Sequence, residues 1–306
     1  MNCAVRPYRD EDVYQVPNLL RRCLHADPIS NQRFLSQVVL DPNFDPEGAL
    51  VAVDHNELRG FILSIARRFP LENAPDDSHR GYITLACAHP ERVGLGSLLL
   101  GMAEDFLRRR GRSEVWVSPY APGYFMPGVD VAAYPGALEF FSSRGYEEVY
   151  RPLAMETSLW PEPRLAFQSL DEDGLYVGPF GPTLTLALLE FVREEFPGDW
   201  VRVVREAIAA APERLLVAVR TEDDGSKRVV GFSHFDRERF GPIGVSSGER
   251  GKRIGQRLMV ETLRAQREQG YRTSWFLWSD DRTAVRLYDH AGFNEVRRFA
   301  VLKKTL

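Results

Sequence analysis

Cysteine is scarce in this chain of 306 residues, and the three present, Cys3, Cys23 and Cys87, all lie in its first half. An odd number of widely spaced cysteines fits neither a disulfide framework nor a zinc-binding knuckle. We therefore expect reduced, partly buried thiols, as in proteins of the cytoplasm, and no metal site.

Long apolar runs are also missing. The first ten residues contain no apolar segment or cleavage site of a secretory signal, and no later stretch is long enough for a membrane-spanning helix. The net charge is −4, so no broad positive surface is expected for nucleic acid or an anionic membrane. The sequence thus predicts a cytoplasmic protein that binds neither.

The composition that remains is ordinary for a globular protein, with 44% hydrophobic and 27% charged residues. The length corresponds to about two domains, each large enough to have its own core.

The most informative stretch is Phe240–Leu258. A short apolar run containing Ile243, Gly244 and Val245 ends in a Ser/Gly turn, and a basic glycine-bearing loop then leads into apolar residues at helical spacing. This pattern predicts a strand, a loop and a helix.

The loop before that helix has the composition of an anion site. Gly251 and Gly255 lack a Cβ, so backbone N–H groups can approach an anion closely, and the helix that follows presents unpaired N–H donors. Mobile positive charge surrounds these glycines at Arg250, Lys252 and Arg253. Such a site suits a diphosphate.

Two common phosphate loops fit this stretch poorly. A Walker A loop needs Ser or Thr after Gly-Lys, whereas Arg253 follows Gly251-Lys252, which argues against a nucleotide hydrolase. The glycine spacing also differs from the dinucleotide-binding fingerprint.

The loop Arg250-Gly251-Lys252-Arg253-Ile254-Gly255 instead resembles the acetyl-CoA loop of the GCN5-related N-acetyltransferases (GNAT), Gln/Arg-x-x-Gly-x-Gly/Ala. Only Arg253 departs, because it stands where the family has its middle glycine. The resemblance continues in order: Ser274–Trp278 is similar to the fifth strand of the family, and Thr283–Phe293 is similar to its Ala-x-x-Leu-Tyr-x-x-x-Gly-Phe helix end.

This resemblance implies an acetyl-CoA-dependent N-acetyltransferase in which a small-molecule amine attacks the thioester directly. Acetyl-CoA would be held by Ile243, Gly244, Val245 and the loop from Arg250 through Ile254 to Gly255. Tyr288 matches the general acid of the family. Asp281 stands where many relatives carry Asn.

The acceptor would lie against the early helices of the second half. A helical run from Pro182 to Phe196 is expected to break at Pro197–Trp200, before a second helix. Glu194, Glu195, Asp199 and Trp200 are candidates for holding a cationic or polar acceptor, although a solvated acidic face with one packing tryptophan explains them equally well.

The first half repeats the second. Val51-Ala52-Val53 and Gly60-Phe61 correspond to Val217-Ala218-Val219 and Gly231-Phe232 as hairpins, and Tyr82–Leu100 corresponds to the segment that contains the acetyl-CoA loop. The repeat predicts an α/β (α+β) fold with a mixed sheet, in two tandem GNAT-type domains at residues 1–160 and 161–306.

The first copy has diverged at its site. Phe141 stands in the place of Tyr288 and has no proton to give, and the loop with Arg92, Gly94 and Gly96 carries fewer basic residues. We therefore expect the second copy to be catalytic and the first to be degenerate, with CoA binding there left open. The first copy also has about 12 additional residues, in the Pro/Gly/Tyr-rich stretch 119–130, which predicts either a lid over a pocket or a packing segment.

Two other interpretations stay open. One is a non-catalytic acyl-CoA-binding or scaffold protein, which Phe141 favours for the first half and Tyr288 opposes for the second. The other is a tandem enzyme similar to mycothiol synthase, although no residue points to that acceptor. The assembly would be a monomer with an internal pseudo-dimer or a homodimer.

Overall fold

The computed structural model describes residues 3–27, 29–72, 74–121, 123, 125–161, 174–196, 198–279 and 284–306, with the backbone alone at 284–286. These residues form two compact units. Unit 1 contains Met1–Pro70, Pro75–Arg151 and Arg298–Leu306, and unit 2 contains Leu71–Ala74 and Pro152–Arg297. None of the described helices is long and apolar enough to cross a bilayer.

Unit 1 is a mixed sheet flanked by helices. Its strands are β1 (Ala4–Pro7), β2 (Ala49–Asp54), β3 (Glu57–Ala66), β4 (Arg80–Ala88), β5 (Glu114–Val117), β6 (Val129–Asp130) and β7 (Glu147–Tyr150). Its helices are α1 (Gln15–Cys23), α2 (Asn31–Phe34, continued by a π turn), α3 (Leu95–Arg109) and α4 (Pro135–Ser142). Strands β1 to β4 pair antiparallel in sequence order, and β5 joins β4 in parallel.

Unit 2 repeats this plan. Its strands are β8 (Leu153–Ser158), β9 (Leu175–Pro179), β10 (Leu215–Thr221), β11 (Lys227–Asp236), β12 (Arg239–Val245) and β13 (Thr273–Ser279). Its helices are α5 (Thr185–Glu195), α6 (Gly198–Ala210), α7 (Ile254–Glu268) and α8 (Ala284–His290). The pairs β9–β10, β10–β11 and β11–β12 are antiparallel, β12–β13 is parallel, and β8 closes the unit beside β13.

The two predicted hairpins are confirmed and share one register. Ala52 faces Gly60 and Ala218 faces Gly231, and in each hairpin a bulge follows directly after the alanine. The glycines are needed because a helix crosses closely above them. A Cβ at Gly60 would meet Leu99 of α3 at 2.7 Å, and one at Gly231 would meet Leu258 of α7 at 2.9 Å.

Helices α3 and α7 cover equivalent faces of the two units, and each packs there through a continuous apolar stripe. Leu95, Leu99 and Leu107 of α3 are buried in the unit 1 core, and Ile254, Leu258 and Leu263 of α7 are buried in unit 2. The buried stripe begins at the first residue of each helix, Leu95 or Ile254, so the first turn is packed against the core directly after the preceding loop.

The predicted break between two helices is confirmed, since α5 ends at Glu195 and Phe196 is extended, but α6 begins at Gly198, inside the stretch 197–200 that was expected to form the break. Gly198 is needed because the backbone of Glu72 comes close to it, and not because a helix ends there. A Cβ at this position would lie 1.5 Å from the carbonyl oxygen of Glu72, so only glycine fits.

The last strand, β14 (Asn294–Thr305), gives the units boundaries that differ from the sequence halves. From Arg298 onward it belongs to unit 1, where Leu302 faces Val117 of β5. Residues 152–160, in contrast, belong to unit 2. Each compact unit therefore differs from the corresponding sequence half by one strand. Strand β8 lies in the first half but belongs to unit 2, and the end of β14 lies in the second half but belongs to unit 1.

Candidate functional site

The basic loop of unit 2 turns tightly into α7. Gly251 has φ +83°, in the left-handed region that favours glycine. Arg253, at φ 60°, adopts the same region as the N-cap of α7, and no side chain caps the helix. A glycine in the family pattern thus corresponds to a position where the backbone is left-handed, and the exposed side chain of Arg253 finds room in solvent.

This turn leaves a row of backbone donors. Within the residues that the structure describes, the N–H groups from Gly251 to Gln256 have no hydrogen-bond acceptor, whereas that of Arg257 bonds the Arg253 carbonyl at 3.1 Å. Open space surrounds Gly248 and Gly251, since an added Cβ there would meet nothing within 4 Å. The start of α7 therefore presents an accessible row of backbone donors from Gly251 to Gln256, which we call the anion cradle because such a row is what an anion site requires.

A buried carboxylate fixes the loop that leads into the cradle. Glu249 is 6% exposed and accepts bonds from Arg220 at 2.9 Å, Lys252 at 3.0 Å and Arg228 at 3.1 Å. Burial would raise the pKa of Glu249, but the bonds from Lys252, Arg220 and Arg228 outweigh it and lower the pKa to about 2. Lys252 is thus neutralised locally, and the exposed Arg250 and Arg253 remain as the charges nearest the cradle.

The strands behind the cradle separate. Arg239 facing Trp275 is the single parallel register pair between β12 and β13 among the described residues, so the rest of β12 leaves β13. Ile243, Gly244 and Val245 lie on this diverging part, and the Val245 side chain is the nearest neighbour of Gly255, 3.6 Å from an added Cβ. The candidate carbonyl-binding residues and the candidate phosphate loop are therefore adjacent.

Tyr288 lies in α8 beside the same split. It is 8% exposed, and its ring packs on Phe276 of β13 with centroids 4.3 Å apart and on Phe240 of β12 at 6.2 Å. The Tyr288 ring thus contacts both strands next to their paired residues, Arg239 and Trp275. Asp281, the remaining predicted cofactor residue of this half, lies outside the described residues.

Two of the candidates for the acceptor site, Glu195 and Trp200, make contacts inside unit 2. Glu195 accepts the hydroxyl of Ser246 at 2.8 Å and the N–H of Ser247 at 3.1 Å, and these bonds lower its pKa. Trp200 stacks on Phe196 at 4.9 Å, and the Phe196 ring fills the space beside Gly244. Glu195 thus holds the end of β12 to α5, and no local pattern in the sequence signals this role.

The corresponding loop of unit 1 keeps part of this arrangement. Gly94 has φ +84° as the N-cap of α3, and the N–H groups of Val93, Gly94, Gly96 and Ser97 have no acceptor within the described residues. The N–H of Leu95, however, bonds the Arg92 carbonyl at 3.1 Å. The Arg92 guanidinium forms an ion pair with Asp54, so less positive charge faces this loop.

Unit 1 also contains a cavity of about 200 Å³ where β4 and β5 part. The parallel pairing of these strands ends at Ile83 and Val117, and the following residues of β4 line the cavity with residues of α1, α4 and the stretch after β5. Phe141, the counterpart of Tyr288, is one of the lining residues.

The Pro/Gly/Tyr-rich stretch 119–130 forms part of this cavity, through Met126, Gly128 and Val129. It is held by buried polar contacts. The Tyr120 hydroxyl donates to Asp41 at 2.9 Å, and the Ser118 hydroxyl donates to the Met126 carbonyl at 2.6 Å. Three residues of this stretch thus form part of the cavity wall, and the alternative role, packing against the other copy, stays a prediction.

Residues 211–295 match the model of the acetyltransferase (GNAT) domain family. No curated protein matches the chain in sequence at a significant level. Among solved structures, a GCN5-related N-acetyltransferase from Sphaerobacter thermophilus has 22% identity and a TM-score of 0.75, over 99% of this chain and 95% of that one.

Two further structures cover 99% of this chain. A tandem GNAT protein from the clavulanic acid biosynthesis pathway has 16% identity and a TM-score of 0.69, with 98% of its own chain covered. A GCN5-related glucosamine N-acetyltransferase region of a fungal multi-domain GH3 β-N-acetylglucosaminidase has 19% identity and a TM-score of 0.80, and this chain spans 38% of that protein.

These findings define the class of the protein. Residues 211–295 match the acetyltransferase (GNAT) domain in sequence, and the fold of the whole chain is that of tandem GNAT proteins. The chain therefore shares its fold with GCN5-related N-acetyltransferases.

Proposed function

We propose that unit 2 transfers an acetyl group from acetyl-CoA to the amine of a small molecule. The observation that carries the proposal is the anion cradle from Gly251 to Gln256, which adjoins the split between β12 and β13. A diphosphate at the cradle would direct the rest of an extended cosubstrate along β12 toward Tyr288. The cosubstrate supplies an activated acyl group as a thioester.

Each residue then has a limited task. The N–H groups of the cradle and the guanidinium of Arg250 bind the diphosphate. Backbone donors of the diverging part of β12, around Ile243–Val245, stabilise the negative charge that develops on the acyl oxygen as the amine attacks. Tyr288 gives its proton to the departing thiolate.

The proton of the attacking amine leaves through water in this scheme. His234 on β11 is 9% exposed, and burial lowers its pKa to about 4, so it stays neutral and is a weak base at neutral pH. Asp236 is paired with Arg214 at 2.5 Å. Neither group is positioned as a strong base by its contacts.

For unit 1 we propose a non-catalytic role, because Phe141 has no hydroxyl at the place of Tyr288. One chain with two units would act as a monomer with an internal pseudo-dimer, in the cytoplasm. Acetyl-CoA as the preferred donor and a small-molecule amine as the acceptor class belong to the same proposal.

Replacing Tyr288 with Phe tests the assignment of the active half. Removal of the hydroxyl should lower kcat about 10²-fold, since a general acid contributes at least this much, while the KM for acetyl-CoA changes little. Turnover would be measured on a panel of small amines with acetyl-CoA. Tyr14→Phe is the matched control, because Tyr14 is 65% exposed in unit 1. Full activity of Tyr288→Phe would move the active site out of unit 2.

Replacing Arg250 with Ala tests the cradle itself. Loss of a charge-assisted bond to the diphosphate should raise the Kd for CoA about tenfold in calorimetric titration. Arg264→Ala removes an exposed arginine farther along α7, where it pairs with Glu261 at 2.7 Å, and should leave the Kd unchanged. Equal Kd values for both variants would show that CoA does not bind at the start of α7.

A further inference from the structure

Two thiols line the unit 1 cavity. Cys23 is the last residue of α1, Cys87 lies on β4, and both line the space of about 200 Å³. Both are half-buried, so a small molecule that enters the cavity can reach them. The acetyl-transfer chemistry proposed for unit 2 uses neither.

The pKa values of the two thiols are shifted in opposite directions. A hydrogen bond from Cys87 lowers the pKa of Cys23 to about 7, against the effect of burial, and the charge of Arg22 acts in the same direction. The bond to Cys23 and burial raise the pKa of Cys87 instead. A substantial fraction of Cys23 is therefore thiolate at neutral pH, and thiolate is the nucleophilic form. By contrast, burial raises the pKa of Cys3.

The other residues that line this cavity leave space for a sulfur-bearing ligand beside the two thiols. They are mostly apolar, and the Tyr134 hydroxyl is already engaged, since it donates to Asp27 at 2.9 Å and accepts from the Ala26 N–H at 3.1 Å. Thr84 also lines the cavity, and its buried hydroxyl has no hydrogen-bond partner among the described residues.

We propose that this cavity is a thiol–disulfide exchange site, at which Cys23 and Cys87 react with small-molecule disulfides. The inference is independent of acetyl transfer by unit 2.

The exchange has two steps that balance. The Cys23 thiolate attacks one sulfur of the disulfide RS–SR, so that Cys23–S–SR forms and RS⁻ leaves. Cys87 then gives its proton to the RS⁻ released in the first step, and its thiolate attacks the Cys23 sulfur, so that the Cys23–Cys87 bond forms, the Cys23–SR bond breaks and a second RS⁻ leaves. The protein ends with a Cys23–Cys87 disulfide, and RS–SR has been reduced to thiols.

Two sources share this chemistry. CoA disulfide carries a narrow, extended pantetheine arm, and glutathione disulfide carries a branched tripeptide. A cavity of about 200 Å³ at a strand split accepts the narrow arm more readily. We therefore expect faster reaction with CoA disulfide, and the two reagents form separate arms of the test.

The test uses the full reduced chain, incubated with either reagent, quenched in acid and analysed by intact mass and peptide mapping. The wild type should lose its thiol hydrogens and form the Cys23–Cys87 bond. Cys87→Ser should stop at the first step and gain one ligand thiol on Cys23. Cys23→Ser should gain none, and Cys3→Ser should behave as the wild type.

A second measurement, made on the folded wild type, does not depend on whether a variant folds. The alkylation rate of Cys23 in the folded wild type should rise with a midpoint near pH 7, whereas that of Cys3 should rise at higher pH. Melting curves establish that the variants are folded. The proposal is overturned if folded Cys87→Ser gains no adduct, if the adduct lies on Cys3, or if both thiols alkylate with one pH midpoint.

Discussion

Arg253 shows how one residue can depart from a family pattern and keep its geometry. The backbone at the start of α7 needs a left-handed residue, and Arg253 supplies it at φ 60° although it carries a Cβ. For a residue other than glycine this conformation costs about 1 kcal/mol. The departure from the pattern is thus a cost in stability, and the cradle remains open.

The comparison of Arg253→Gly with Arg253→Ala isolates this cost. Both variants lose the charge, but only glycine adopts φ 60° without strain, so Arg253→Gly should be more stable than Arg253→Ala by about 1 kcal/mol. Urea denaturation measures the difference. Equal stability of the two variants would mean that the left-handed turn is absent in solution.

Local sequence patterns identify such single positions more readily than the residues that contact them in the fold. Gly251, Gly255 and Tyr288 are recognisable because each occupies a fixed place in a local pattern. Glu249 has no such signal, since its partners Arg220 and Arg228 are about 20 to 30 residues distant in the chain. Its role follows only once β10 and β11 pair.

At the scale of elements, the loop before α7 depends on that buried carboxylate. Glu249 ties the loop to β10 through Arg220 and to β11 through Arg228, at 2.9 and 3.1 Å. It also neutralises Lys252, which would otherwise repel these arginines. These contacts therefore hold the loop in place without a bound ligand.

Glu249→Gln should remove this support in a pH-dependent way. The pKa of Glu249 is lowered to about 2 in the folded protein, so its stabilisation is present above the unfolded value near 4.5 and is lost as the pH falls toward 2. At pH 7 the variant should be less stable by about 2 kcal/mol, the size of a bond to a charged group. The difference should shrink steadily below pH 4.5.

Denaturation at a series of pH values checks this expectation. Glu261→Gln is the control, because Glu261 makes an exposed pair with Arg264 on the same helix. A stability difference for Glu249→Gln that stays constant down to pH 2 would contradict the ion-pair account.

The sequence was also more informative about elements than about their contacts. Both hairpins and the helices after the two glycine loops follow from alternation and helical spacing. The thiol cavity does not, because Cys23 and Cys87 are 64 positions apart and come together only when α1 packs on β4. The break between α5 and α6 follows from the sequence, but the need for glycine at position 198 does not, since it depends on the close approach of Glu72.

At the scale of the molecule, the order of the sequence and the allocation of strands differ. Residues 298–306 follow all of unit 2 along the chain, yet they belong to unit 1. There Leu302 is fully buried and packs in the core formed with α3 and β5. Unit 1 is therefore complete only when the last residues of the chain are in place.

Leu302→Ala tests this allocation against Leu263→Ala. Leu302 belongs to the core of unit 1, whereas Leu263 of α7 is 2% exposed in the core of unit 2, and each truncation should cost about 3 kcal/mol. Hydrogen exchange followed segment by segment should show lost protection in β4 and β5 for Leu302→Ala and in β11 and β12 for Leu263→Ala. Loss of protection in β11 and β12 in the first variant, with β4 and β5 intact, would assign the last strand to unit 2 and restore the two sequence halves as the folding units.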